Sequence, residues 1–374
     1  MSDPRPTSYW NYLKLDPLLG LQGGIPENED ALDGEEVLFI TVHQVFELWF
    51  KLVLRELRAA RDLFQPDAVR EQELSGAVAS MRRIQTIFRT ATQHFEVVET
   101  IGLREYLEFR DSLMPASGFQ SFQLRQIEIL FGLEEDDRVP LGPKSSHLSA
   151  LKEPDGSESA AYKAVQAQLA DQPTLRAAIE GWLSRTPIDG VPHDDPGADQ
   201  ALDRFINGYL EAHGAEIDRS LEHAEAIART DKERERLRGM YSAQKSATHG
   251  FFHPTEEEGG RHRARVRAAI VFIETYRDLP LLAWPREVLA SLLEVEQAFL
   301  IFRQRHARMV ERVIGRRAGT GGSEGVDYLD RTALAYRIFG DLWAVRTLMI
   351  RPAATPPLER EEYYGFKSGT QQGG

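Results

Sequence analysis

Residues Val295–Leu329 read VEQAFLIFRQRHARMVERVIGRRAGTGGSEGVDYL, and their pattern decides the fold class. Val295, Phe299, Phe302, His306, Met309 and Val313 recur at steps of four and three, the spacing that aligns side chains on one helix face. Arg303, Arg305, Arg308 and Arg312 flank that stripe in sequence. The run predicts a long amphipathic helix that stops near Gly315 and passes into a glycine-rich loop, Gly319–Gly325, a poor helix former.

The rest of the chain carries the same signature. Asp33 to Glu36 resembles a helix start, with an acidic cap and a glutamate three residues on. It opens a strongly aromatic run in which Phe39, His43, Phe46, Glu47, Phe50 and Leu54 share one face. Ile84, Ile87, Phe88, Ala91, Phe95 and Val98 form the stripe of a further helix. Shorter helices are expected near 160–183, from Leu202 to about Lys245, and over 264–276. No sustained alternation and no Asn-Gly hairpin signal points to a strand. The expected fold is therefore all-α, a helical bundle whose long central helices are 35–64, 71–113, 286–314 and 328–351. Residues 1–32 read as an N-terminal arm with an aromatic cluster, 33–351 as one helical domain with a variable excursion at about 134–250, and 352–374 as a Pro-rich tail.

Composition narrows the function. The chain of 374 residues has a formal net charge of −13, which argues against a nucleic-acid or anionic-membrane surface, since phosphate binding needs a cationic footprint. Its zero cysteines exclude disulfides, thiolate metal sites, iron–sulfur clusters and cysteine nucleophiles. The N-terminus lacks a basic-then-apolar signal, and no apolar run is expected to reach membrane-spanning length, so a cytoplasmic protein is expected.

Two histidines stand inside apolar stripes. His306 fits either a packed core histidine with satisfied ring nitrogens or an axial haem ligand, which needs an apolar slot and one neutral imidazole. Spacing alone leaves both readings open. His43, among Phe39, Phe46 and Trp49 with Glu47 one turn away, is likewise either a paired core histidine or a polar group set in an apolar pocket. Tyr106 and Arg110 lie four apart on one helix face, just before Pro115 and Gly118 break the helix. The GTGGSEG loop follows a helix rather than a strand and lacks a Gly-Lys-Ser/Thr ending, so a nucleotide-binding reading fails. What remains is backbone that can approach a ligand closely, with Thr320 and Ser323 as hydroxyl donors. His249 and His253 have a helical metal spacing, but no third ligand is indicated.

Four stretches in order, YWNYLKLDPLLGLQ (9–22), FITVHQVFELWFK (39–51), FRDSLMPASGFQSFQLRQIE (109–128) and FRQRHARMVERVIGRRAGTGGSEGVDYL (302–329), resemble the tryptophan 2,3-dioxygenase family. YRDLPLLAWPREVLASLLEVE (276–296) looks like the segment leading into the ligand helix of its longer members. The resemblance covers most of the chain and is weakest over 134–250. It implies an all-helical homotetramer with haem b, ferrous in the active form, that opens the indole ring of L-tryptophan with O2 to give N-formylkynurenine. By the same resemblance His306 matches the axial ligand of the haem iron, and His43 the distal histidine that hydrogen-bonds the indole N–H. Arg110 matches the partner of the substrate carboxylate, Phe39 and Tyr106 the walls of the indole pocket, and Thr320 a contact of the substrate ammonium group. Tyr9, Tyr12 and Leu13 match a segment that closes a neighbouring subunit's site. Ser117, Gly118, Gly319 and Gly321 match loop positions near the haem.

The sequence departs from the family pattern at Glu324, where a second serine is usual after GTGGS, at Phe302, where longer members tend to have tryptophan, and at Phe46, which replaces a common tyrosine. These departures leave two further expectations beside the first: a related haem-dependent oxygenase, including a monooxygenase, acting on a modified indole, and a haem sensor or carrier without turnover. Arg110 and Thr320 favour an amino-acid substrate.

Overall fold

The computed structural model describes residues 8–114, 118–140, 148–153, 155–317 and 325–365. Among them there are fourteen α-helices and no strand; Ile188 and Val191 form a single isolated bridge. In chain order the helices are α1 (Tyr9–Leu13), α2 (Leu15–Leu18), α3 (Gly34–Leu63), α4 (Glu71–Val98), α5 (Leu103–Phe109), α6 (Phe122–Phe131), α7 (Ala160–Ala170), α8 (Leu175–Ser184), α9 (Ala198–Ile227), α10 (Asp231–Phe252), α11 (Gly260–Thr275), α12 (Ala283–Ile314), α13 (Val326–Ala335) and α14 (Gly340–Leu348). The all-α expectation holds, and the helix carrying His306 begins and ends within three residues of its predicted bounds.

The chain forms two compact units, each assembled from three stretches. The first comprises Met1–Arg55, Ile84–Gln172 and Gln297–Tyr336; the second comprises Glu56–Arg83, Pro173–Glu296 and Arg337–Gly374. All candidate residues of the sequence analysis fall in the first unit except His249 and His253.

Several predicted helices are broken, and each break has a local cause. The expected helix 71–113 is α4, then α5, then a 3-10 turn over Arg110–Leu113. Thr100 turns its hydroxyl onto the Val97 carbonyl at 2.6 Å, and Gly102 takes an extended conformation (φ −71, ψ 151) as the N-cap of α5. The expected helix 328–351 is α13 and α14. In the gap between them the buried Glu296 carboxylate accepts the Ile338 and Phe339 backbone N–H groups at 2.5 and 3.0 Å, and the Trp343 indole N–H as well. A side chain thus replaces the acceptors that a continuing helix would have provided. Pro173 separates α7 from α8, whose first turn is capped by the Thr174 hydroxyl. The pattern expected from Leu202 to Lys245 is a helical hairpin, with α10 started by a capping box between Thr230 and Glu233.

One expectation is overturned. An 18-residue window of α3 reaches a mean hydropathy of 1.6, which by length and composition suffices to cross a membrane, and only 28 % of that window is buried. His43 and Glu47 interrupt the apolar run in sequence without lowering its average below that threshold. Leu48 and Leu52 stand exposed on this helix.

In the second unit, Tyr209, Phe252, Phe272 and Tyr364 are buried with little or no exposed surface. Tyr364, within the expected tail, donates its phenol to the Pro187 carbonyl at 2.8 Å and accepts the Gly190 N–H at 2.9 Å. Residues 352–365 therefore include a packed anchor.

Candidate active site

The site is built on α3. The Asp33 carboxylate accepts the Glu35 N–H at 3.0 Å and starts the helix, which carries Phe39, His43, Phe46 and Phe50 at successive turns. His43 Nδ1 lies 2.7 Å from the Phe39 carbonyl oxygen. A carbonyl only accepts, so Nδ1 carries the proton and Nε2 keeps its lone pair. Burial pushes the His43 proton affinity below the ordinary value of 6.5; the Phe39 carbonyl and the Glu47 charge oppose that shift without reversing it. The ring is therefore neutral at neutral pH, with one acceptor nitrogen available.

α5 covers the start of this face. Phe39 packs at 6.3 Å from Tyr106 and 5.7 Å from Phe109, and these two rings meet edge-on at 5.3 Å. Arg110 follows one turn after Tyr106, and burial pushes the Tyr106 phenol above its ordinary value while the nearby Arg110 charge opposes that shift. Phe39, His43, Tyr106 and Arg110 thus form one constellation.

α12 brings His306 into the same aromatic cluster. Phe46 stands 6.0 Å from His43, 5.0 Å from Phe95 and 6.0 Å from Phe302, and Phe95 stacks on the His306 ring at 5.5 Å and 26°. Two imidazoles 263 residues apart in sequence are joined by two phenylalanines. They also feel each other electrostatically. Burial first, then His43 and Arg303, hold His306 down at about 4. His306 is half-buried, and among the described residues it has no hydrogen-bond partner. A satisfied core histidine would have one.

This arrangement fits a haem better than a bare metal ion. Among the described residues no three metal-ligating side chains come together. A structural or catalytic ion needs such a set, whereas a haem iron takes one neutral imidazole in an apolar slot. The arginines around His306 are already engaged: Arg303 with Glu128, Arg305 and Arg312 with Glu99, and Arg308 with Asp330 and Glu311.

The matched stretch of a family model described as tryptophan 2,3-dioxygenase runs over residues 2–349. The chain belongs to the tryptophan 2,3-dioxygenase family. A tryptophan 2,3-dioxygenase of Sorangium cellulosum is 52 % identical over 365 residues, covering 96 % of this chain and 87 % of that protein. Tryptophan 2,3-dioxygenase 2 of Ralstonia nicotianae is 49 % identical over 97 % of this chain and 98 % of its own length. The mouse tryptophan 2,3-dioxygenase is 32 % identical over 91 % of this chain and 82 % of that protein.

Other residues expected at a tryptophan 2,3-dioxygenase site are placed differently or not described. Thr320, Gly319, Gly321 and Ser117 lie outside the described residues. Gly118 is exposed and opens a 3-10 turn, Gly118–Gln120. Tyr9 and Tyr12 are 77 % and 75 % exposed, and Leu13 is exposed beside them. The arm is fastened at its root: Gln44, next to His43, donates to the Leu21 carbonyl at 2.8 Å and accepts the Gln22 amide at 2.7 Å. His249 and His253 stack at 4.2 Å at the end of α10, in the other unit.

Sequence reasoning missed two features. Glu47 accepts the Ser121 hydroxyl at 2.6 Å and the Gln123 amide at 2.7 Å, tying the N-terminus of α6 to α3 one turn from His43. The GFQS motif and Glu47 were both legible, but their pairing across 74 residues was not. His94 Nδ1 is buried and has no hydrogen-bond partner among the described residues, and its ring lies 6.1 Å from Phe46. Its only signal was its place beside Phe95 in the α4 stripe.

Proposed function

We propose that this chain is a haem-dependent tryptophan 2,3-dioxygenase that converts L-tryptophan and O2 into N-formylkynurenine. The observation that carries the reading is the His306 imidazole, which among the described residues has no hydrogen-bond partner, stacked on Phe95 and within the field of His43. Family membership supports the same conclusion independently.

In this reading His306 holds the iron of haem b. Bound ferrous haem supplies the electronic chemistry that lets dioxygen react with a closed-shell indole; both oxygen atoms end in the product and the C2–C3 bond opens. The chain's own residues bind and orient. Phe39 and Tyr106 wall the indole ring. His43 Nε2 accepts the indole N–H, a role supported by the Nδ1 hydrogen bond to the Phe39 carbonyl. The Arg110 guanidinium pairs with the substrate carboxylate through two parallel hydrogen bonds, and Thr320 meets the ammonium group. Holding the zwitterion at one end and the N–H at the other fixes the reacting ring.

The reading includes a homotetramer in which Tyr9, Tyr12 and Leu13 close an adjacent subunit's site. Support comes from their exposure and from the exposed leucines of α3. An apolar arm and an apolar helix face left open on one chain call for cover.

The test is reduction of haem-loaded protein without air, followed by L-tryptophan and O2, with product mass measured. A gain of two oxygen atoms is expected. A gain of one oxygen atom points to monooxygenation and overturns the dioxygenase reading. Intact tryptophan overturns turnover altogether. His306→Ala should abolish stoichiometric haem binding.

A further inference from the structure

Gln44 follows His43 on α3, and one residue of helix turns a side chain by about 100°. His43 therefore faces Phe39 and Phe46, whereas Gln44 faces the N-terminal arm. Both ends of its amide are used. Nε2 donates to the Leu21 carbonyl at 2.8 Å, and Oε1 accepts the Gln22 amide at 2.7 Å. Gln22 Nε2 also reaches back to the Leu18 carbonyl at 3.1 Å, so the end of α2 hangs on the same pair. A donor and an acceptor on one uncharged group are what an amide side chain offers: glutamate lacks the donor, lysine the acceptor and leucine both.

The arm has little else to hold it. α1 and α2 contain no buried residue, and Tyr9, Trp10, Tyr12, Leu13, Leu18 and Leu19 stand exposed. Among the described residues, the two bonds to Gln44 are the hydrogen bonds that tie residues 9–22 to the body of the chain. Just beyond them the chain is stiff. Gly23 is buried in a turn whose carbonyl accepts the Asn28 N–H at 3.1 Å, and a Cβ at Gly23 would stand 2.6 Å from the Asn28 nitrogen. A projecting arm with a rigid root is aimed by whatever fixes that root.

We propose that Gln44 is a positioning residue for an adjacent subunit's active site. Its two hydrogen bonds set the direction in which the arm leaves α3, and with it where Tyr9, Tyr12 and Leu13 arrive. Gln44 touches neither substrate nor iron, and its effect falls on a pocket of another chain. This inference rests on the reading that the arm closes a neighbour's site.

The test compares Gln44→Leu with the parent haem-loaded protein. Loss of two hydrogen bonds should free the arm and raise the KM for L-tryptophan by about tenfold, with haem content unchanged. Trypsin cleavage after Lys14, followed by mass, should accelerate by a similar factor, a readout independent of turnover. Hybrid oligomers decide in which subunit Gln44 acts. Gln44→Leu subunits keep a sound pocket, and Arg110→Ala subunits keep a sound arm but a crippled pocket. Assembled together, they should show a component with the parent KM, because the sound arm serves the sound pocket. A hybrid KM as high as that of Gln44→Leu alone puts the effect in its own subunit and overturns the proposal. Gln44→Leu with unchanged KM and unchanged cleavage overturns it as well. If Gln44→Leu does not assemble, Gln22→Leu removes one of the two bonds from outside α3 and should shift KM and cleavage in the same direction by less; unchanged values there are equally fatal. Removing residues 2–14 separates this inference from the reading beneath it. Parent kinetics without the arm refute the arm's role itself, whereas a loss on removal with an indifferent Gln44 refutes only the positioning.

Discussion

Replacing Phe95 by alanine removes the ring that stacks on His306 and touches both Phe46 and Phe302. Phe95 is 2 % exposed, so nearly its whole side chain is withdrawn from water. A phenylalanine buries roughly 150–200 Å², worth about 4–5 kcal/mol at 25 cal/mol per Å². Alanine keeps the Cβ, and the rings at 5.0 Å (Phe46), 5.0 Å (Phe302) and 5.5 Å (His306) are too rigid to fill the gap. The net destabilisation should be about 3–5 kcal/mol, measured by urea unfolding of the haem-free chain. The haem-loaded chain adds a second readout, because a freed His306 ring can rotate off its axis. Haem transfer to an apoglobin scavenger should accelerate by about tenfold, equivalent to about 1.4 kcal/mol. Phe95→Leu should recover most of the stability and less of the haem retention, since it restores volume without a flat stacking surface. A stability loss below about 1 kcal/mol with unchanged haem release would refute the account of this cluster.

Arg110→Ala should raise the KM for L-tryptophan by about 100-fold or more, and Arg110→Lys should recover little of it, because the ammonium group cannot offer two parallel donors. Equal kinetics with tryptophan and with indole in the parent enzyme would contradict this role. Burial keeps His43 neutral in the fold, with its folded proton affinity below 6.5, so the unfolded chain takes up its proton first as pH falls through 6.5. Stability from this group is present above that pH and is lost on acidification. The acidic limb of kcat/KM should lie below 6.5, and Glu47→Gln, which removes an opposing anion, should move it lower still; a limb moved upward would reverse the assignment. Glu296→Ala leaves two backbone N–H groups and the Trp343 indole unpaired in a buried place, at about 1–3 kcal/mol each, and should destabilise the chain by roughly 3–6 kcal/mol in thermal or urea unfolding. Glu296→Gln should recover part of that loss.

Helix existence was legible because α3, α4 and α12 each bury one stripe, and a stripe is a property of nearest turns. Helix endings were less legible. The gap before α14 is stabilised by Glu296, more than forty residues upstream of its partners, and no local pattern announces such an acceptor. The histidines illustrate the same division. His43 and His306 each stood out as a polar residue on an apolar face, but spacing left two meanings open. What separates them is spatial: the Phe39 carbonyl fixes the proton on His43, while among the described residues His306 has no hydrogen-bond partner. Arg303 read as one of four flanking cations; only the fold gathers Arg125 and Arg138 with it around Glu128. The expectation that no apolar run reaches membrane-spanning length looked for an uninterrupted run, whereas the average over 18 residues of α3 is apolar enough.

The joint at Thr100–Gly102 has a consequence for how this chain can change. An α-helix advances about 100° per residue, so one residue added or lost between α4 and α5 would rotate Tyr106 and Arg110 by that angle about the α5 axis. The two side chains would then leave Phe39 even if every residue kept its identity. At this joint the length of the connection is under constraint independently of its composition. A substitution at Thr100 leaves that register unchanged and Ile101, 3 % exposed, tolerates only an apolar residue of similar size, whereas an insertion or deletion would dismantle one wall of the pocket while leaving every helix intact.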